Sequence, residues 1–257
     1  MKTENASNDT EDGRKTAQAH WDEAWSSPVR PRIPSRLNVE VRNLTNLLRK
    51  YVRPGARYIE IGCAPGKYLA WVAVQCKSET WGLDYSDTGI RNCQGLFVAM
   101  NLDIKLQQGD FFDNTLPKNT FDVVTSFGFI EHFDDPTDAV SKHIELLAPG
   151  GIAVITVPNY GGIYGRMQSK CDPENLDLHN TNIMNVKALE LLVDPSLKCA
   201  VRAYPYGRPS LWLVNLERRL PRPLARLIQW TVNFLGHLWP DSVAASATSL
   251  VLEVRRH

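Results

Sequence analysis

Between Arg57 and Val157 the chain alternates strand-like and helix-like stretches, and this alternation narrows the available folds more than any other feature. Arg57–Ile61 reads as a short strand, Lys67–Cys76 as a helix, Thr80–Asp84 as a second strand and Asp87–Met100 as a helix with Ser86 as its N-cap. Ile104–Gln108, Phe121–Thr125 and Ile152–Val157 read as further strands, with a helix over about Thr137–Leu147 before the last. Strands separated by helices return parallel through right-handed crossovers, which covers both faces of one sheet with helices. Ligands of such sheets bind at the carboxyl ends of the strands.

The flanks are less regular. Ala17–Trp25 reads as a short helix, ended by the prolines of Pro28–Pro34. Leu37, Val41, Leu44, Leu48 and Tyr51 then form the apolar stripe of a core-facing helix, closed by Pro54-Gly55. Pro158–Asn185 spans 28 residues with little periodicity, long for a connection. Val186–Val193 is expected to be helical, Lys198–Tyr204 a strand and Leu250–Arg255 a final edge strand. In Arg208–Pro240 the spacing predicts two amphipathic helices joined near Leu220–Pro223. In the second of them Arg222, Arg226, Gln229, Asn233 and His237 make a polar stripe opposite a broad Leu/Trp/Phe face. That face is expected to cap an acceptor pocket or form a homodimer interface, with peripheral membrane contact as the third option.

Composition removes several function classes. With 29 basic and 28 acidic side chains the chain lacks the basic excess of a nucleic-acid binder. The five cysteines are odd in number, without CxxC or other metal-ligand spacing, so no metal site and a reducing, cytoplasmic setting are expected. Met1–Thr16 is polar without an apolar core, which reads as a disordered tail rather than a signal peptide. The late apolar stretch Leu227–Pro240 is 14 residues, where a membrane span needs about 18 or more. Residues 17–257 are therefore expected to form one domain, with cap elements at 17–50, 158–185 and 208–240.

Five motifs follow strands. Tyr58-Ile-Glu-Ile-Gly-Cys-Ala-Pro-Gly66 sets a glycine turn after the first strand, where backbone approaches a ligand and a helix N-terminus opens toward it. A dinucleotide fingerprint would need glycines where Ala64 and Lys67 stand, which disfavours a nicotinamide cofactor. Trp81-Gly-Leu-Asp-Tyr-Ser86 ends the second strand on Asp84, and Gln108-Gly-Asp-Phe-Phe112 follows the third. Phe121–Thr125 continues into Ser126-Phe-Gly-Phe-Ile-Glu-His-Phe133, and Leu146-Leu-Ala-Pro-Gly-Gly-Ile152 turns into the fifth strand.

In this order and spacing the motifs resemble those of class I S-adenosylmethionine (SAM)-dependent methyltransferases, with Ala64 replacing the middle glycine of the first motif. The Ser126–His132 stretch is similar to small-molecule O-methyltransferases of the ubiquinone-biosynthesis type. The resemblance implies a doubly wound, mostly parallel seven-stranded α/β sheet with an antiparallel last strand and a helical cap. It also implies SAM as cofactor and methyl transfer to a hydroxyl of a small or lipid-like acceptor. Cofactor contacts are implied for Glu60, Gly62, Cys63, Ala64, Gly66, Asp84, Tyr85, Asp110, Phe111, Ser126 and Phe127. Asp84 would accept both ribose hydroxyls, although a helix-capping role is open to it; Asp110 would accept from the adenine amino group, with Phe111 against the ring. His132 and His179 are the candidate bases for a hydroxyl acceptor, and Glu131-His132 bracing the loop is the alternative. The 19–25 helix would lid the cofactor, its Trp21 and Trp25 packing on the core, while Tyr160 and Tyr164 would line the acceptor pocket. Methylation of an amine, carboxylate or carbon, or a noncatalytic binding role, would use the same fold.

Overall fold

The chain is described here by a computed structural model over residues 13–27, 30–240 and 243–257. It enters through α1 (Gln18–Ala24) and α2 (Val39–Tyr51) and then alternates β1 (Arg57–Ile61), α3 (Lys67–Cys76), β2 (Glu79–Asp84), α4 (Asp87–Met100) and β3 (Lys105–Gln108). β4 (Phe121–Phe127), α5 (Thr137–Leu146) and β5 (Leu147–Pro158) continue the pattern. After β5 come α6 (Ile163–Cys171), α7 (Pro173–Asp177), α8 (Val186–Glu190), β6 (Cys199–Tyr206), α9 (Arg222–Leu238) and β7 (Ser249–Arg256). Side-chain caps start α2 and α4, the second of them at the Ser86 expected from the sequence. The Asn38 side chain caps α2 by accepting from the Glu40 and Val41 amides, and Ser86 Oγ caps α4 by accepting from Gly89 N at 2.9 Å.

The seven strands lie in the order β3-β2-β1-β4-β5-β7-β6. All neighbours are parallel except β7, which runs antiparallel to both β5 and β6. This is the doubly wound Rossmann-like methyltransferase fold. Winding reverses between β1 and β4, so their carboxyl ends diverge and open the crevice in which such sheets bind ligands. The pleat divides the core: Ile59 and Ile61 of β1 enter the cluster on one face, and Tyr58 the cluster on the other.

The structure corrects the flanks. Leu250–Arg255 is not an edge strand; β7 lies between β5 and β6, and β6 takes the edge. Pro158–Asn185 holds α6, α7 and a 3-10 turn at Thr181–Ile183. Its glycines mask this helicity in the sequence, yet Gly165 is a packing requirement, since a Cβ there would stand 2.0 Å from the Tyr160 carbonyl oxygen. The helix expected over Val186–Val193 ends at Glu190. Of the tail, residues 1–12 lie outside the described residues, but Gly13–Thr16 are structured: Arg14 bridges Phe133, and the Lys15 amide donates to His132 O at 2.8 Å.

The 208–240 segment forms one helix, not two. Leu211, Leu213, Val214 and Leu216 are all buried, and near-consecutive residues cannot all be buried from one helix face, so this half runs irregularly into a 3-10 turn at Leu216–Arg218. The break before α9 falls where the prolines place it. α9 docks on α2 by its polar stripe: Asn233 Oδ1 accepts from Val39 N at 2.8 Å, while Asn233 Nδ2 and His237 Nε2 donate to Leu37 O. Gly236 permits this approach, as a Cβ would come within 2.6 Å of Pro209 O. The apolar face of α9, with Leu227, Trp230, Phe234 and Leu238, is exposed. Among the described residues no helix is long and apolar enough to cross a membrane.

The pleat of β2 leaves no room at Gly82, where a Cβ would lie 2.5 Å from Leu69 Cδ1 and 2.8 Å from Cys63 Sγ, both buried. Gly82→Ala is expected to lower stability by about 1–3 kcal/mol. Urea unfolding should show a lower midpoint at unchanged slope; an unchanged midpoint would mean that the core yields without cost.

Candidate functional site

The turn after β1 is built around a backbone that only glycine adopts readily. Gly62 has φ +68°, and a Cβ would stand 3.1 Å from the Phe129 ring. The Gly62 and Cys63 amides both donate to Leu83 O, at 2.9 and 3.2 Å, which fastens the turn to β2. Asp84 completes the joint: Oδ2 accepts from Ala64 N at 2.8 Å and Oδ1 from Ser86 N at 2.9 Å. One carboxylate thus holds two adjacent turns, and burial pushes its pKa up against the pull of these backbone donors. Asp22 adds α1 to the same corner, accepting from Ser86 Oγ at 2.7 Å and Thr88 N at 3.0 Å.

These turns form the floor of a cavity of about 540 Å³, a size typical of small-molecule sites. Glu60, Gly62, Cys63, Ala64, Asp84, Tyr85, Asp110, Phe111 and Phe127 all line it. Gly66 and Ser126 do not. Gly66 heads α3 at φ +84° and packs on Phe97 and Cys93, while Ser126 is fully buried in β4. Phe111 is only 2% exposed and packs edge-on against Phe112, Phe129 and His143, so it is chiefly a core residue. Asp110 is paired with Arg14, whose guanidinium lies over the Tyr85 and Phe112 rings at 5.3 and 5.4 Å. Arg14 and Phe112 escaped sequence reasoning. Arg14 stands in a polar run that carries no periodic signal, whereas Phe112 stood beside the aromatic chosen.

The cavity fits an adenosine-bearing cofactor on its own geometry. Its floor is glycine-turn backbone, and at its edge sits a buried acceptor-only carboxylate, Asp84, with lone pairs beyond its two backbone bonds.

The opposite wall comes from the loop after β4 and from the insertion after β5. Glu131 and His132 occupy a 3-10 turn, Ile130–His132, at the end of β4, and both are buried. The Asn180 amide donates to Glu131 O at 2.7 Å, and its side chain donates to the Phe133 and Asp134 carbonyls. These bonds bring His179 beside His132, with ring centroids 4.8 Å apart. Each histidine bonds a backbone carbonyl through Nδ1: His132 to Leu178 O at 2.9 Å, His179 to Asn175 O at 2.8 Å. A carbonyl only accepts, so each Nδ1 carries the proton and each Nε2 keeps its lone pair. Burial and the neighbouring His179 lower His132 to about 3, so it is a poor store for a proton. His179 is lowered too, chiefly by burial, and burial raises Glu131 to about 8.

Trp21 and Trp25 line the cavity, and Trp21 meets His132 edge-on at 5.0 Å. Tyr160 lines the wall, but its hydroxyl is engaged, donating to Leu213 O at 2.9 Å. Tyr164 stands away from the cavity, donating to Ser246 O at 3.0 Å. From the 208–240 segment Trp212, Leu213 and Asn215 reach the wall, and no residue of α9 does. His20 also lines the cavity.

Comparison with known proteins agrees with this geometry. A family profile described as a methyltransferase domain matches residues 59–155. A probable S-adenosylmethionine-dependent methyltransferase of Mycolicibacterium smegmatis is 29% identical over 105 residues, which cover 41% of this chain and 39% of that protein. A sterol 24-C-methyltransferase of Schizosaccharomyces pombe is 24% identical over 153 residues, covering 59% of this chain and 38% of its own. The chain thus spans about two fifths of the length of these relatives. The structure of Haemonchus contortus phosphoethanolamine N-methyltransferase 2, in complex with phosphomonomethylethanolamine and S-adenosylhomocysteine, superposes with a TM-score of 0.57. It is 17% identical, over 84% of this chain and 52% of that one, which places the fold alone.

Asp84→Asn keeps the shape of the side chain but replaces one acceptor oxygen by a donor amide. A hydrogen bond to a charged group is worth about 1.5–3 kcal/mol, so SAM affinity measured by calorimetry is expected to fall roughly tenfold or more. A folded variant with unchanged affinity would leave Asp84 as a brace of the two turns only.

Proposed function

We propose, on the premise that residues 59–155 form a class I SAM-dependent methyltransferase domain, that the whole chain moves the methyl group to a hydroxyl of a small or lipid-like acceptor. One observation carries the hydroxyl reading: the bare Nε2 atoms of His132 and His179 stand together in the cavity wall, beyond the strand ends that hold the cofactor turn. A hydroxyl must lose its proton as its oxygen attacks, and acceptor atoms grouped at one point would take its hydrogen bond and orient the oxygen for attack. Trp21, Phe129, Tyr160 and Trp212 give the same cavity an apolar lining suited to a lipid-like or aromatic body.

When bound, SAM supplies a sulfonium methyl: the acceptor oxygen forms the new O–CH3 bond, and the C–S electron pair stays on sulfur, leaving S-adenosylhomocysteine. The chain's own share is placement. Asp84 and the Gly62–Ala64 backbone would hold the adenosyl part at the ends of β1 and β2, and Glu131, His132 and His179 would hold the acceptor oxygen. Fixing both partners in line is worth roughly 7–11 kcal/mol of barrier. A second reading, methylation of an amine, is favoured by the buried Glu131 carboxyl in the same wall, whose Oε2 has no hydrogen-bond partner and would accept one from an amine. Product mass spectrometry after incubation with labelled SAM separates the two.

With an acceptor in hand, His132→Ala and His179→Ala should each lose about 10²-fold or more in turnover, with SAM affinity nearly unchanged. Losses below tenfold in both would overturn the hydroxyl reading in favour of an acceptor that needs no deprotonation, such as a carboxylate.

A further inference from the structure

Three groups able to offer lone pairs converge in the cavity wall. Glu131 offers a carboxylate oxygen, and His132 and His179 each offer a ring nitrogen; one such atom from each lies within 4.8 Å of the other two. Glu131 Oε2 is buried with no hydrogen-bond partner. A buried oxygen left unpaired is costly, and acceptors facing one another make it more so. A proton on the carboxyl satisfies part of such a set, and a cation bound by all three groups satisfies the whole of it.

We propose that Glu131, His132 and His179 form a site for a divalent transition metal of the zinc class. Three features of the cluster specify this ligand. Two imidazoles and one carboxylate are the donor set of borderline metals, whereas magnesium and calcium take oxygen. Both histidines present Nε2 because Nδ1 is spent on a backbone carbonyl, Leu178 O or Asn175 O, the outer contact that orients metal-ligating histidines. Three protein ligands leave a fourth tetrahedral position, and all three face the cavity, so that position opens toward the acceptor. Ligand atoms on a tetrahedral zinc stand about 3.4 Å apart, so small side-chain rotations close the 4.8 Å set. No spacing rule signals the cluster, because His179 lies far along the chain from the Glu131-His132 pair.

The role of the ion rests on the hydroxyl reading above; its binding does not. A hydroxyl oxygen coordinated at the open position is acidified. Its proton passes to solvent water, the oxygen then forms the O–CH3 bond, and the C–S electron pair remains on sulfur. The imidazoles act as ligands in this step.

The test uses the full chain, stripped with a chelator and titrated with zinc by calorimetry, then with cobalt(II) followed by visible absorption. One zinc per chain is expected, with the absorption bands of a tetrahedral cobalt centre. Affinity should fall roughly 100-fold or more in Glu131→Gln and His179→Ala, beyond the loss from removing an outer contact. SAM binding retained by both variants shows that they are folded. No uptake by the stripped protein, or uptake unchanged in both variants, overturns the site. Undiminished methyl transfer by metal-free protein removes the ion from the reaction, while zinc binding in a protein that methylates no hydroxyl sinks the functional reading and leaves the site standing.

Discussion

The joint made by Asp84 is what the rest of the site is built on. A carboxylate at the end of β2 accepts amide protons from the turn after β1 and from the turn into α4, so two strand ends are fastened at one point. Its cost is the burial of a charge, offset by charge-assisted bonds to backbone N–H groups. The cavity floor therefore belongs to the sheet itself, whose strands are the most tightly held part of the chain. A cofactor seated there would meet a surface that needs no rearrangement to receive it.

The opposite wall is assembled differently. It draws on α1, the 3-10 turn after β4, the insertion after β5 and the irregular run before α9, which are joined by hydrogen bonds between loops. Few of these segments have a regular partner along their length. On the proposed reading, acceptor recognition would rest on contacts between segments distant in sequence, and cofactor recognition on the ends of adjacent parallel strands.

This division explains what could be read from the residues alone. The alternation from Arg57 to Val157 and the cap at Ser86 are local: each depends on periodicity or on a side chain reaching an amide a few residues on. The same holds for Gly62 and Asp84, whose roles follow from standing at strand ends. Long-range matters were not legible. Nothing near Arg14 indicates that it will lie between Tyr85 and Phe112 and hold Asp110. Nothing in α9 indicates that its polar stripe will turn inward, because periodicity locates an apolar face without saying which face meets the core. Leu211–Leu216 misled for a related reason: a dense apolar run satisfies a helical pattern, and total burial then excludes the helix.

Asn180 ties two pieces of that wall together, the loop after β4 and the insertion after β5, and it bears on how such a protein diversifies. Its amide and its side chain satisfy three carbonyls, of Glu131, Phe133 and Asp134, in a loop that would otherwise leave buried acceptors unpaired. The insertion after β5 is thus a replaceable module with a fixed plug. On the proposed reading, its helices and aromatic residues would change with the acceptor while Asn180 keeps the socket beyond β4 and His179 its place beside His132. Grafting a foreign insertion onto this scaffold is a question of matching that plug first, before any residue that touches the acceptor.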